Sequence, residues 1–311
     1  MKIAVPDKIS NSYFPAEAAV ELGFFKAEGL DVSLELIFPV DKCYAALRDG
    51  AIDFVGGAAH AAPSAFPGFR GVKLLCAQAQ GMYWFLVMHA DLKAKRGDVG
   101  VVKGRRIGAA PWVDMGLRAL LIEAGIDPIR DGVAIAPVPG AVGSTVNFGV
   151  TAAKALEDRK LDGFWANGMG AEVAVRRGIG TIVLDVRRGD GPQACFNYTA
   201  PVIAATDALI ARQPEKAAAA VRAIVKTQAA LKANVGRAAD VGQKLFPASE
   251  AALITDLIRR DLPYYDAELS REFIAGMTAF TRGQGVLDGE VSYESVVATQ
   301  FGQFWKVGAG R

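Results

Sequence analysis

The residues of this chain best suited to chemistry are suited to recognition rather than bond-making. Ser10, Asn11, Ser12, Tyr13 and Phe14 form one polar and aromatic run, and His60, Tyr83, Trp84, Trp112, Trp165, Asn167 and Tyr198 recur at later loops. Hydroxyl, imidazole and carboxamide groups pair with polar ligand atoms. Indole and phenol rings hold flat or apolar bodies. Three of the four tryptophans fall in expected cleft loops or crossings, while Trp305 falls in the last expected helix. No catalytic residue is assigned, and no cofactor is expected. The three cysteines, Cys43, Cys76 and Cys195, cannot all pair, and no CxxC or CxxH spacing exists, so no metal site is expected. Cys76 lies in an apolar run and reads as a small core residue. Cys43 lies near an expected helix start, where a thiol pKa would fall.

These residues need elements to position them. A chain of 311 residues is long for one core, so two lobes are expected. The net charge is +2 and charged residues are 22%, a balance that calls for neither nucleic acid nor a membrane surface. The basic runs at 93–96 and 103–106 read as solvated loops. No apolar run approaches the ~18 residues of a membrane span. Met1 leads straight into an expected strand. Either a leader has been removed and the protein is periplasmic, or it is cytoplasmic.

Strands and helices alternate, the pattern of βαβ units. The first series has strands at 3–6, 31–38, 52–55 and 72–77 and helices at 15–25 and 42–48. The second has strands at 84–88, 106–109, 132–137, 163–165 and 181–185, with helices at 116–124, 152–159 and 172–177. Residues 195–205 read as a strand returning to the first lobe. The remainder reads as helices at 214–234, 237–244, 250–262, 269–283 and 293–305. The expected fold class is α/β: two lobes, each a mainly parallel sheet flanked by helices. Lobe 1 takes residues 1–86 and 200–311, lobe 2 residues 87–199. Ligands of open α/β sheets bind outside the carboxyl ends of strands, so the ligand site is expected in a cleft between the lobes.

Each loop carries two readings. Tyr13 and Phe14 either staple the start of the helix opening at Pro15 or set a ring against a ligand. Ser10 and Ser12 would then meet the ligand's polar group, helped by free N–H groups at the helix start. Asp41 reads as an N-cap, and Lys42 either faces an acidic ligand or is solvated. Gly57 and Ala58 are small enough for close approach to a ligand. His60 is a structural hydrogen-bonder or a ligand contact. Asp114 caps a helix or meets an amine. Ser144 at a helix start and Asn167 after the strand ending at Trp165 are candidate donors to a ligand oxygen. Tyr198 lies on the return crossing, as hinge or ligand residue. Arg70 is the nearest arginine to these loops.

Four segments carry a family resemblance: Gly23-Phe24-Phe25 through Glu28-Gly29-Leu30-Asp31-Val32; Ala45-Ala46-Leu47-Arg48-Asp49-Gly50 with Ile52-Asp53-Phe54; residues 102–108; and residues 156–164. In this order they resemble type II periplasmic binding proteins of ABC importers, in the branch binding sulfonates, taurine, nitrate and thiamine-pyrimidine precursors. The resemblance implies a solute-binding component that captures a small organic ligand, aromatic or anionic, by lobe closure, with ABC permease subunits as partners. Family members usually carry a glycine- or serine-rich stretch where this chain has Pro39-Val40-Asp41-Lys42. The alternative is a cytoplasmic enzyme on the same fold. One such relative cleaves aromatic sulfinates with a cysteine in the first loop, where this chain has Ser10 and Ser12. Another makes the thiamine pyrimidine with a cysteine-rich iron motif that is absent here.

Overall fold

A computed structural model describes residues 1–141 and 147–306. The first series comprises β1 (Lys2–Val5), α1 (Phe14–Glu21), α2 (Phe24–Ala27), β2 (Ser33–Leu36), α3 (Val40–Arg48), β3 (Phe54–Ala58) and β4 (Val72–Ala77). The second comprises β5 (Phe85–His89), β6 (Arg106–Ala109), α4 (Val113–Glu123), β7 (Ala134–Ala136), α5 (Phe148–Glu157), β8 (Gly163–Ala166), α6 (Gly168–Arg176) and β9 (Gly180–Asp185). Then come β10 (Pro201–Thr206), α7 (Asp207–Arg212), α8 (Pro214–Ala233), α9 (Arg237–Leu245), α10 (Ala248–Asp261), α11 (Arg271–Gly283) and α12 (Tyr293–Val296).

The chain divides into two compact units. Unit 1 holds Met1–Lys8, Tyr13–Gln80 and the chain from Asn197 onward; unit 2 holds Ile9–Ser12 and Gly81–Phe196. These boundaries differ from 86/87 and 199/200. Residues 81–86 go with unit 2 because β5 is hydrogen-bonded between β8 and β9. The first loop, too, contributes four residues to unit 2.

The two sheets repeat one plan. Their orders are β2-β1-β3-β10-β4 and β7-β6-β8-β5-β9. In each, the first three strands run parallel, and the fourth is antiparallel to both its neighbours. The sheets are therefore mixed, mainly parallel with one strand reversed in each. The odd strand in each is the one next to a chain crossing. All other strands end at one edge, called here the carboxyl edge, where β5 and β10 begin.

Local chemistry sets the elements. The helix expected over 15–25 breaks in two because Gly23 takes the left-handed conformation, φ 75°. Proline opens α1 and α8. The buried stripe of α8 includes Ala217, Val221, Ile224 and Gln228. Gln228 Nε2 donates to the carbonyls of Ala77 (3.1 Å) and Gln78 (2.9 Å), fastening the helix to the end of β4. The last expected helix, 293–305, is instead α12 followed by a 3-10 helix, Thr299–Phe304. Trp305 Nε1 donates to the Leu75 carbonyl at 2.9 Å.

Candidate functional site

At the carboxyl edge of the unit 1 sheet, the residues proposed from sequence are largely engaged with their own unit. Gln78 is the organiser. Its Oε1 accepts from Ala16 N (3.1 Å) and its Nε2 donates to the Val202 carbonyl (3.1 Å). One amide at the start of α1 is thereby satisfied by protein, which removes part of the anion affinity expected there. Phe14 is fully buried and meets Phe246 edge-on at 6.4 Å, the packing alternative. Tyr13 is buried beside it in sequence. Asp41 does not cap α3: the cap position is Pro39, without a side-chain bond. Lys42 is exposed. Gly57 and Ala58 are buried, and a Cβ at Gly57 would meet Val40 at 3.1 Å. The space saved by this glycine is filled by the protein's own α3.

His60 pairs through Nδ1 with Thr199 Oγ1 at 3.0 Å and lies edge-on to Phe280 at 5.6 Å. Tyr198 stacks on the same Phe280 ring at 4.5 Å and 10°. His60, Tyr198, Thr199 and Phe280 thus form one packed group at the start of β10. Arg70 is exposed. Cys43 is fully buried, and its thiol donates to the Ile37 carbonyl. Burial first, and the Asp41 charge second, push the thiol pKa up. The lowered pKa expected at a helix start is overturned, because desolvation exceeds the helix-end effect. Cys76 is likewise pushed up by burial, and among the described residues no disulfide joins the three cysteines, all of them buried.

The carboxyl edge of unit 2 is different. Tyr83 and Trp84 immediately precede β5, Trp112 follows β6, Trp165 and Asn167 lie at the end of β8, and Arg187 follows β9. The register sets Phe85 opposite both Ala166 and Asp185, so these ends are level. Tyr83 and Trp84 lie 4.9 Å apart, and Trp84 meets Trp165 at 6.4 Å, nearly perpendicular. The Arg187 guanidinium lies 5.5 Å from the Tyr83 ring centroid, a cation–π arrangement. Trp84 packs tightly over Gly116 of α4, so it is at once edge residue and core.

Two features of this edge go beyond packing. Trp112 is half-buried and holds φ 73°, uncommon for a bulky residue. Such backbone strain costs about 1–3 kcal/mol and concentrates at ligand clamps. The indole Nε1 of Trp165 is buried and has no hydrogen-bond partner among the described residues. Asp114, by contrast, is tied to Arg118 one turn on, at 3.1 Å. Asn167 Oδ1 caps α6 by accepting from Gly170 N at 3.0 Å.

The first loop joins this edge. Asn147 Nδ2 donates to the Ile9 carbonyl, while Asn147 Oδ1 accepts from Val150 N at 2.7 Å and so caps α5. A Cβ on Gly149, in the first turn of α5, would strike Asn167 Oδ1. Residues 9–12, the start of α5 and the end of β8 are therefore contiguous. Ser10, Asn11 and Ser12 are buried there. Ser10 Oγ accepts from Ser12 N at 3.0 Å, whereas Ser12 Oγ has no partner among the described residues. Ser144 lies outside the described residues.

Two residues escaped the sequence reading. Arg187 belongs to Val186-Arg187-Arg188-Gly189, which reads as a solvated turn, although its place directly after a strand was a usable signal. Glu17 is fully buried in α1, and neither carboxylate oxygen has a hydrogen-bond partner among the described residues. Burial first, and the charge of Asp7 second, raise its pKa well above the ordinary carboxylate value. Among the described residues no group of three or more His, Cys, Asp or Glu side chains suits a metal ion.

No protein-family model matches the chain. The riboflavin-binding protein RibY of Chloroflexus aurantiacus is 25% identical over 313 residues, covering 93% of this chain and 82% of that protein. Among solved structures, a protein from Bordetella bronchiseptica superposes with a TM-score of 0.73 at 19% identity, covering 97% of this chain and 95% of that one. The periplasmic nitrate-binding protein NrtA from Synechocystis has a TM-score of 0.70 at 14% identity, covering 96% and 86%. The desulfurization enzyme DSZB also shares the fold, at 15% identity. The chain therefore has the two-lobed α/β fold of periplasmic binding proteins of ABC import systems, as the sequence resemblance led one to expect.

Proposed function

We propose that this chain is the solute-binding component of an ABC importer and captures a small organic ligand with a flat, unsaturated body and oxygen acceptors. The observation that carries the reading is the carboxyl edge of unit 2. There four strand ends gather Tyr83, Trp84, Trp112 and Trp165 with Arg187, while Ser10, Asn11 and Ser12 join from the first loop. Rings supply area for a flat body, and the hydroxyl, indole and guanidinium groups are donors. The shared fold and the riboflavin-binding relative support the same assignment and make an isoalloxazine-type ring the first ligand to test. Tyr13, Phe14, Lys42, Gly57, Ala58, His60, Asp114, Asn167 and Tyr198 belong to the candidate set, several of them as supports rather than contacts. Permease subunits are the partners this function requires, and the periplasm is its setting. Among the described residues no helix is long and apolar enough to cross a membrane, so the transport step would belong to those partners.

Capture needs no catalytic group. The burial of all three thiols weighs against a cysteine-dependent reaction. A thermal-shift screen with riboflavin, aromatic carboxylates, alkanesulfonates and nitrate tests the reading. A ligand at 100 times its Kd stabilises the folded state by about 2.7 kcal/mol. Absence of any shift across these classes would count against it.

A further inference from the structure

Trp165 and Ser12 share an unusual property within unit 2. Each is buried, and each carries a polar group without a hydrogen-bond partner among the described residues: the indole Nε1 and the hydroxyl Oγ. Buried polar groups in folded proteins are almost always paired, and each exception calls for an explanation. Both exceptions fall at the carboxyl edge of one sheet. Trp165 is the penultimate residue of β8, and the segment of Ser12 is fastened to the start of α5 beside Asn167. An indole N–H can only donate, and a serine hydroxyl can donate as well as accept. The guanidinium of Arg187, over Tyr83 at the same edge, adds positive potential.

We propose that Trp165 Nε1 and Ser12 Oγ are ligand donors that fix an acceptor oxygen of the bound molecule, with the Trp84–Trp165 ring pair beside it. The inference rests on the solute-binding reading and narrows it: the ligand presents a carbonyl, carboxylate or sulfonate oxygen to unit 2. An amine presented there would leave the indole unpaired, and the edge discriminates against it.

The test measures two quantities for wild type, Ser12→Ala and Trp165→Phe: the thermal midpoint without ligand and the affinity for three probes. Riboflavin offers neutral carbonyl oxygens, naphthalene-2-carboxylate an anionic oxygen, and 2-(aminomethyl)naphthalene a ring without an acceptor. Replacing the Trp165 indole by benzothiophene keeps the ring shape and removes only the N–H. The expected result is a loss of roughly 3- to 10-fold for a neutral acceptor, or about 10- to 100-fold for an anionic one. The midpoints of Ser12→Ala and the benzothiophene variant do not fall, because a group without a partner contributes no bond to lose and its removal relieves a desolvation cost. The amine probe binds more weakly than the carboxylate to wild type. If the best acceptor probe binds the variants as tightly as wild type, the donor assignment is wrong while the transport reading stands. A lowered midpoint in both Ser12→Ala and the benzothiophene variant also overturns it, since the groups would then be structural bonds. If wild type binds none of the probes, the solute-binding reading falls, and this inference with it.

Discussion

Glu17 sits in the first turn of α1 with both carboxylate oxygens buried and unpartnered. Ionising such a group carries a desolvation penalty that the surrounding charges do not remove. Asp7 and Glu21 oppose ionisation, and only Lys8 favours it. The folded state therefore holds this proton more tightly than the unfolded chain. Stability from this group is fully present below the ordinary carboxylate value and declines as pH rises from there toward the raised value. Glu17→Gln should flatten that decline. Thermal midpoints measured from pH 4 to pH 8 should show the variant gaining on wild type at the upper end and matching it near pH 4. A parallel pair of curves would contradict the burial of an ionisable carboxyl here. Glu28 behaves oppositely. Burial would raise its pKa, but hydrogen bonds from Lys226 and Arg222 outweigh burial and lower it, so its stabilisation is lost on acidification. Neither role was legible from residue type, because both glutamates sit among small and apolar neighbours in sequence, and only tertiary packing separates their surroundings. The reverse holds for Trp112 and Trp165: their places at strand ends were read from the sequence, but strain at one and an unpaired N–H at the other were not.

At the scale of elements, α5 and α6 are held close by two glycines. A Cβ on Gly170 would fall 2.5 Å from the Gly149 carbonyl oxygen, and the three nearest atoms all belong to the Gly149 backbone. No side-chain rotation relieves that contact, so Gly170→Ala must part the helices and loosen the Asn167 cap. A loss of about 1–3 kcal/mol is expected, read as a lower denaturant midpoint. An unchanged midpoint would mean the helices are not in this contact. Alternating hydrophobic runs located nearly every strand in the sequence, since strand period and turn residues are local. The antiparallel fourth strand of each sheet was not legible, because it depends on which sheet a crossing segment joins. The same non-local choice moved residues 81–86 into unit 2. Helix breaks such as Gly23 were visible as residue types, but whether glycine ends a helix or is absorbed within it depends on packing. The residues of the unit 1 edge illustrate a further limit. Gly57 and Phe14 were flagged for their place at strand ends, yet contacts with Val40 and Phe246 occupy them.

For the whole molecule, chain connectivity is the informative feature. The units are joined at the crossings Gln80/Gly81 and Phe196/Asn197, and residues 9–12 of the first loop belong to unit 2. If capture proceeds by closure of the lobes, small-angle scattering should report a smaller radius of gyration at saturating ligand, with mass per chain unchanged. An identical scattering curve would rule out closure as the signal to a permease. The central claim, that the chain holds a flat oxygen-bearing ligand and releases it unaltered, is tested most directly by calorimetric titration of riboflavin and matched aromatic carboxylates into the purified protein. The ligand is then recovered and its mass measured. The account predicts one saturable site per chain for at least one of these compounds and a ligand mass unchanged after prolonged incubation. Heats that never saturate, or a recovered compound chemically altered by the protein, would contradict it.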